Sequence, residues 1–256
     1  MQTNRLSLIK HLSITTGLYR PARWLSRRIR PAQLQAFRAD VNFYRRILSP
    51  GSVCFDVGAN IGEKSEALLR SGAARVVSFE PDPVARCELR ARCGHFENWV
   101  GIGTALGRGA AIATLHARGD SGKSSFLKDW TGSPVAMYHV PVVTLDSAIE
   151  CFGRPDYCKV DVEGWEPEVF KGLTLSIPLI SFEFHLGELN IPRTVACLEH
   201  LRQLGGGLVN ITPAETPMLH LKEWMALDQF AQWFPGDLKQ TLPGDPYGDI
   251  WIRMNG

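Results

Sequence analysis

The sequence predicts an α/β domain built on a mostly parallel sheet with helices on both faces. Two observations carry that reading. From residue 52 onward, short apolar runs alternate with helical patterns, and such alternation implies parallel strands joined by covering helices. The first run also ends in an acid and a glycine turn: Val53-Cys54-Phe55-Asp56-Val57-Gly58-Ala59-Asn60-Ile61-Gly62. A strand, a glycine turn and a helix start are the parts from which such folds build a nucleotide pocket.

Taken in order, strands are read near 53–57, 75–80, 97–102, 157–162, 179–184, 208–212 and 248–253, and helices near 62–71, 82–93, 165–173, 193–204 and 221–233. Between the third and fourth strands lies an excursion, 108–149. Its runs Ala111–His116 and Val135–Val143 read as extra strands joined by the polar loop Arg118–Ser125, and Leu145-Asp146 opens a short helix. Long loops beside a binding site are often functional. The chain is divided into a basic helical N-terminal extension, 1–50, and the main domain, 51–256. In the extension Leu34, Phe37, Val41, Tyr44 and Leu48 follow helical spacing and are expected to pack on the domain. Arg20, Arg23, Arg27 and Arg30 share one helical face. That face is either simply solvated or a peripheral contact with an anionic membrane.

At 256 residues the chain is long enough for a large core. A net charge of +2 gives no nucleic-acid signature, and nucleic acid is not expected as a partner. The six cysteines form no CxxC pair, which fits a reducing compartment and argues against a zinc site. No stretch approaches the roughly 18 apolar residues of a membrane span. The expected location is the cytoplasm.

The first turn discriminates between cofactors. Dinucleotide enzymes want G-x-G-x-x-G, whereas here Asp56, Gly58, Asn60 and Gly62 fill the corresponding positions. A carboxylate there would repel a pyrophosphate but suits the ammonium of S-adenosylmethionine. Glu80, at the end of the second strand, stands where such folds hold ribose hydroxyls. Small residues at 103–107 leave room for a flat ring. A nicotinamide-dependent oxidoreductase shares the fold class but lacks support from this turn. A non-catalytic scaffold would be marked by absent cofactor binding, and the acid and glycine positions count against it.

The fourth strand reads Tyr157-Cys158-Lys159-Val160-Asp161-Val162-Glu163-Gly164-Trp165-Glu166. Lys159, Asp161 and Glu163 alternate with apolar residues, so they are expected on one face at a strand's C-terminal end, where ligands bind in open α/β sheets. Glu183 and His185 repeat the theme on the fifth strand. Charges among Val and Phe on central strands cost several kcal/mol unless paired, so these groups form either structural ion pairs or a site.

These stretches resemble the FkbM family of class I S-adenosylmethionine-dependent methyltransferases. The resemblance rests on Phe55–Gly62, Ser78-Phe79-Glu80-Pro81, Ala105-Leu106-Gly107, Ser124-Ser125, Val142–Asp146, Lys159–Glu166 and Gly248-Asp249-Ile250-Trp251. It implies a Rossmann-like, seven-stranded sheet with an antiparallel last strand, and O-methylation of a hydroxyl on a sugar, glycan or natural product. Carried over by position, Asp56, Gly58, Asn60 and Gly62 would contact the methionine part of S-adenosylmethionine. Glu80 would take the ribose hydroxyls, and Asp82 and Ala105 would border the adenine. Asp161 and Glu163 would lie beside the reactive methyl. Either Asp161 or His185 would be the general base, with Glu163 and Lys159 orienting it or the acceptor. No metal-ligand set is assigned. Trp165 departs from the family, which usually has a small residue there.

Overall fold

The computed structural model describes residues 31–214, 216–242 and 247–255. Arg20, Arg23, Arg27 and Arg30 therefore lie outside the described residues. Among the described residues, no helix is long and apolar enough to cross a membrane.

Helix α1 (Pro31–Ile47) starts on a proline, whose missing N–H costs nothing in the first turn, and ends on Arg45 and Arg46 beside the negative dipole end. Its Val41, Phe43 and Tyr44 are buried, and the ring of Phe43 meets Trp251 edge-on at 5.2 Å. Then come β1 (Val53–Val57), α2 (Glu63–Ser71), β2 (Arg75–Phe79), α3 (Pro83–Cys93) and β3 (Trp99–Ile102). The excursion contributes β4 (Ala105–Leu106), β5 (Ala111–Ala117) and β6 (Ala136–Val143), which pair as a separate three-stranded sheet. The chain returns through α4 (Leu145–Phe152), β7 (Tyr157–Val160), α5 (Glu166–Lys171), β8 (Leu179–His185), α6 (Ile191–Gln203) and β9 (Gly207–Pro213). It finishes with β10 (Met225–Ala226), α7 (Leu227–Trp233), α8 (Gly236–Thr241) and β11 (Tyr247–Met254).

The main sheet has the order β10-β9-β11-β8-β7-β1-β2-β3. The β1–β2, β1–β7, β2–β3 and β7–β8 pairs are parallel, while β11 runs antiparallel to both β8 and β9. Seven strands match the expected sheet, and the two-residue β10 adds an eighth at its edge. The order reverses direction between β1 and β7, so their C-terminal ends open a crevice of the kind where α/β sheets bind ligands. One apolar cluster lies between the sheet and α4 to α8, and a second lies under α1, α2 and α3.

Two expectations change. The helix read over 221–233 begins only at Leu227. Asn210 holds the preceding segment extended, accepting from the Leu221 N–H at 3.0 Å and donating to its carbonyl at 3.0 Å. A helix starting there would need the Leu221 carbonyl for its own ladder. The fourth strand ends at Val160 rather than 162. Glu163 adopts φ 55° and Gly164 φ 89°, so a left-handed turn, rather than the pleat, brings Glu163 toward Asp161.

Candidate functional site

At the carboxyl ends of β1, β2 and β7 lies a cavity, placed where α/β sheets bind their ligands. Gly58, Asn60, Glu80, Ala105, Asp161 and Glu163 all line it. Gly58 is there because nothing else fits: it has φ 82°, and a Cβ would stand 1.8 Å from the Asp161 carbonyl oxygen. Its N–H bonds the Phe79 carbonyl at 3.0 Å, tying the turn to β2. Asn60 adopts φ 47°, a left-handed conformation that asparagine tolerates better than most residues.

Glu80 is 6% exposed. One of its carboxylate oxygens accepts from the Asn60 N–H at 2.6 Å and the other from the Asp82 N–H at 2.7 Å. Burial pushes its pKa up to about 7, against those two hydrogen bonds. Each oxygen keeps lone-pair capacity for further donors, and Glu80 borders the cavity. The opposite requirement appears at Thr104 and Trp165. Thr104 Oγ1 and Trp165 Nε1 are buried without a hydrogen-bond partner, and both residues line the same space. Buried polar atoms in this state call for a ligand that carries the matching groups.

The structure does not bring every expected residue to this wall. Asp56 is 1% exposed and sits below the cavity, accepting from Ser65 Oγ at 2.5 Å. Burial raises its pKa, with Lys159 and Ser65 opposing. Gly62 precedes α2 and packs against Leu89. Asp82 caps α3, accepting from the Val84 N–H at 2.8 Å, and also takes the Ser124 hydroxyl at 3.3 Å. These three shape the wall from behind.

Lys159 lies in register with Asp56 on the neighbouring strand, and its ammonium contacts Asp161 Oδ2 at 2.5 Å. Burial works against the charge on Lys159, but Asp161, Asp249 and Asp56 outweigh it and hold the pKa well up. Asp249 on β11 was not singled out from the sequence as a charged partner. It pairs across strands with Glu183, and only the topology puts it next to Lys159.

Asp161, Glu163 and Glu183 each bring a carboxylate oxygen within 4.8 Å of the others. Burial pushes the Glu163 pKa up to about 8, reinforced by Asp161 and Glu183. Burial also pushes Glu183 well up, with Asp161 adding to it. Three close carboxyls cannot all ionise cheaply, and burial favours the protonated form of the two glutamates. His185 stands on the far side of this trio, with Nε2 3.2 Å from Glu183 Oε2 at an angle short of a hydrogen bond. It lines a second, smaller cleft with Trp130, Glu183 and Arg193 rather than the main cavity. Trp130 joins the two spaces by donating its Nε1–H to Glu163 Oε2 at 2.8 Å.

The segment between β5 and β6 roofs the main cavity through side chains. Ser121 Oγ donates to Asn60 Oδ1 at 2.7 Å, and Ser125 Oγ donates to the Glu163 carbonyl at 2.7 Å. Trp130, Arg193 and the roof serines carried no periodic or motif signal for a site, apart from Ser124-Ser125.

Solved structures with similar architecture have low identity. Precorrin-6y C5,15-methyltransferase from Geobacter metallireducens aligns over 85% of this chain and 86% of its own, with 11% identity and a TM-score of 0.47. A TehB-like SAM-dependent methyltransferase from Corynebacterium glutamicum aligns over 91% and 99%, with 11% identity and a TM-score of 0.43. Ribosomal protein L11 methylase from Lactobacillus delbrueckii subsp. bulgaricus aligns over 86% and 80%, with 11% identity and a TM-score of 0.44. Among curated proteins none matches. Residues 56–205, more than half of the chain, match the Methyltransferase FkbM domain. That span runs from the acid of the first turn to the end of α6 and includes the glycine turn, Glu80, the roof and the carboxyl trio. The chain belongs to the FkbM methyltransferase family, whose methyl donor is S-adenosylmethionine.

Proposed function

We propose that this protein transfers the methyl group of S-adenosylmethionine to a hydroxyl of a sugar, glycan or natural-product acceptor, with Asp161 as the general base. The observation that carries the reading is the position of Asp161. It lines the main cavity, ion-pairs with buried Lys159 and lies beside Glu163 of that cavity and Glu183 of the second cleft.

The residues of the cavity fit the donor. Glu80 offers carboxylate oxygens to a ribose diol, while Ala105 and Leu106 offer a flat apolar wall beside the orphaned Thr104 hydroxyl. Gly58 and Asn60 border the end nearer Asp161, where the amino-acid part of the donor would lie. Asp56, Gly62 and Asp82 support this end of the site indirectly, by fixing α2, α3 and the turn. The sulfonium supplies an activated methyl group, and the protein supplies geometry.

An alcohol is a weak nucleophile, so removing its proton as the new bond forms contributes roughly 10²–10⁴-fold. The acceptor oxygen must sit roughly 3–3.5 Å from the methyl carbon and opposite the sulfur. Asp161 is placed to accept that proton because Lys159 holds its carboxylate at the cavity wall. Lys159 is therefore a positioning residue. His185 lies off the main cavity, which supports Asp161 over His185 as the base.

The test is Asp161→Asn, assayed by S-adenosylhomocysteine release across a panel of hydroxyl acceptors, with donor affinity measured by calorimetry. The expected result is a fall in kcat of roughly 10²–10⁴-fold with donor binding retained. Near-complete turnover by this variant would rule out Asp161 as the base.

A further inference from the structure

Beyond the carboxyl trio lies a second, shallow cleft open to solvent, walled by Trp130, Glu166, Glu183, His185, Asn190 and Arg193. Glu163 separates it from the main cavity and is hydrogen-bonded to Trp130 at 2.8 Å. One end of this cleft is therefore next to the proposed base, and the other ends on a cation.

That cation is placed and underused. Arg193 Nη1 donates to Asn190 Oδ1 at 2.7 Å, and its guanidinium lies over the Trp130 ring at 5.4 Å. Among the described residues it has no carboxylate partner and no hydrogen-bond acceptor for Nε or Nη2. Nearby cations are already engaged: Lys159 pairs with Asp161, Lys171 with Glu168, and Arg118 donates to five backbone carbonyls. Arg193 is also held in direction, because Asn190 fixes one nitrogen and the ring fixes the plane. A guanidinium so held keeps a fork of donors that matches a carboxylate or phosphate. The first turn of α6 adds a positive dipole end. Its backbone contributes no free donor there, since Ile191 N–H bonds the Gly187 carbonyl and residue 192 is a proline. Recognition falls to the side chain.

We propose that this cleft is the acceptor subsite and that Arg193 selects an acceptor bearing an anionic group, a carboxylate or phosphate, on the side of the molecule away from the hydroxyl to be methylated. This rests on the hydroxyl-methylation reading above. The ring of Trp130, with His185 edge-on at 5.9 Å, gives the body of the acceptor an apolar wall. Burial favours the uncharged form of Glu163 and Glu183, which lessens their repulsion of an anionic acceptor.

The experiment uses the full chain with S-adenosylmethionine and three matched probes: glucuronate, glucose and glucosamine. S-adenosylhomocysteine release, the position of methylation and the thermal midpoint with each probe are recorded for the wild type and for Arg193→Gln. The expected result is a kcat/KM for glucuronate at least tenfold above that for glucose. In Arg193→Gln the preference should vanish through KM, with donor affinity unchanged. Equal use of glucose, or an unchanged preference in Arg193→Gln, would overturn the proposal while leaving hydroxyl methylation standing. So would neither turnover nor a midpoint shift with glucuronate. Methylation at the glucosamine nitrogen alone would instead overturn the hydroxyl reading.

Discussion

Single residues hold this site together by charge and by close approach. Lys159 is 3% exposed and is the counter-charge to Asp56, Asp161 and Asp249. Replacing it with methionine leaves buried acids uncompensated, a change that costs about 3–5 kcal/mol where one partner of a buried pair is removed. Urea unfolding should show that loss, and raising the pH should deepen it as Asp56 and Asp249, whose pKa values burial raises, lose their protons. Glu163 makes a second prediction with a definite sign. Its pKa rises from 4.5 to about 8 on folding, so between those values the folded state binds more protons than the unfolded state. Its contribution to stability is intact below about pH 4.5 and declines until about pH 8. Glu163→Gln cannot titrate, so the difference in thermal midpoint between variant and wild type should grow in the variant's favour from pH 5 to pH 8. A constant difference across that range would contradict a protonated Glu163. How much of this was legible in the sequence follows from range. Gly58, Asn60 and Glu80 were readable because strand, turn and acid lie within one local unit. Asp249 and Arg193 were not readable as site residues, because they approach the site only through sheet order and helix placement.

At the scale of elements, period and punctuation were informative and exact ends were not. β1, β2, β8 and the β5–β6 pair stood out because apolar runs were bounded by glycine, proline or acid. β7 stops early because the Glu163–Gly164 turn needs left-handed backbone, which an alternating acid pattern conceals. Helix α1 shows the reverse case. Its spacing marked Leu34, Phe37, Val41, Tyr44 and Leu48 as an inward stripe, of which Val41 and Tyr44 are fully buried. Phe43 falls outside that stripe, yet it is 6% exposed and packs edge-on to Trp251. Trp251 is in turn stacked on Tyr157 at 5.3 Å. The helix is thereby joined to the two strands that carry Lys159 and Asp249. Asp40 adds an ion pair to Lys64 of α2 at 3.0 Å. Phe43→Ala should therefore cost about 3–5 kcal/mol, the range for removing a buried aromatic ring. Exposed Gln35→Ala on the same helix should cost less than about 0.5 kcal/mol. Equal midpoints in urea for the two variants would show that α1 is a dispensable attachment.

At the scale of the whole molecule, the excursion between β3 and β7 has two functions that one segment can combine. As β5 and β6 it is a small sheet with its own apolar cluster of Leu115, Val140 and Val142. As the segment 118–135 it is a roof over the cavity, held down at Asn60, Asp82 and Glu163 through Ser121, Ser124, Ser125 and Trp130. A loop of this length needs its backbone groups satisfied if it is to keep one shape. Arg118 does this: it is 7% exposed, and its guanidinium donates to the carbonyls of His116, Lys123, Leu127, Lys128 and Gly132. No lysine could span the same set, because only a planar fork presents five donors. Arg118→Lys should therefore behave as a loosening mutation rather than a conservative one. The sheet beneath does not depend on these bonds, so global unfolding in urea should change by less than about 1 kcal/mol. The roof should instead open more often, which would be seen as faster hydrogen exchange confined to 118–135. S-adenosylmethionine affinity should fall by about tenfold, since an opened roof must be ordered again on binding. Exchange rising evenly across the main sheet would instead mean that Arg118 supports the fold as a whole.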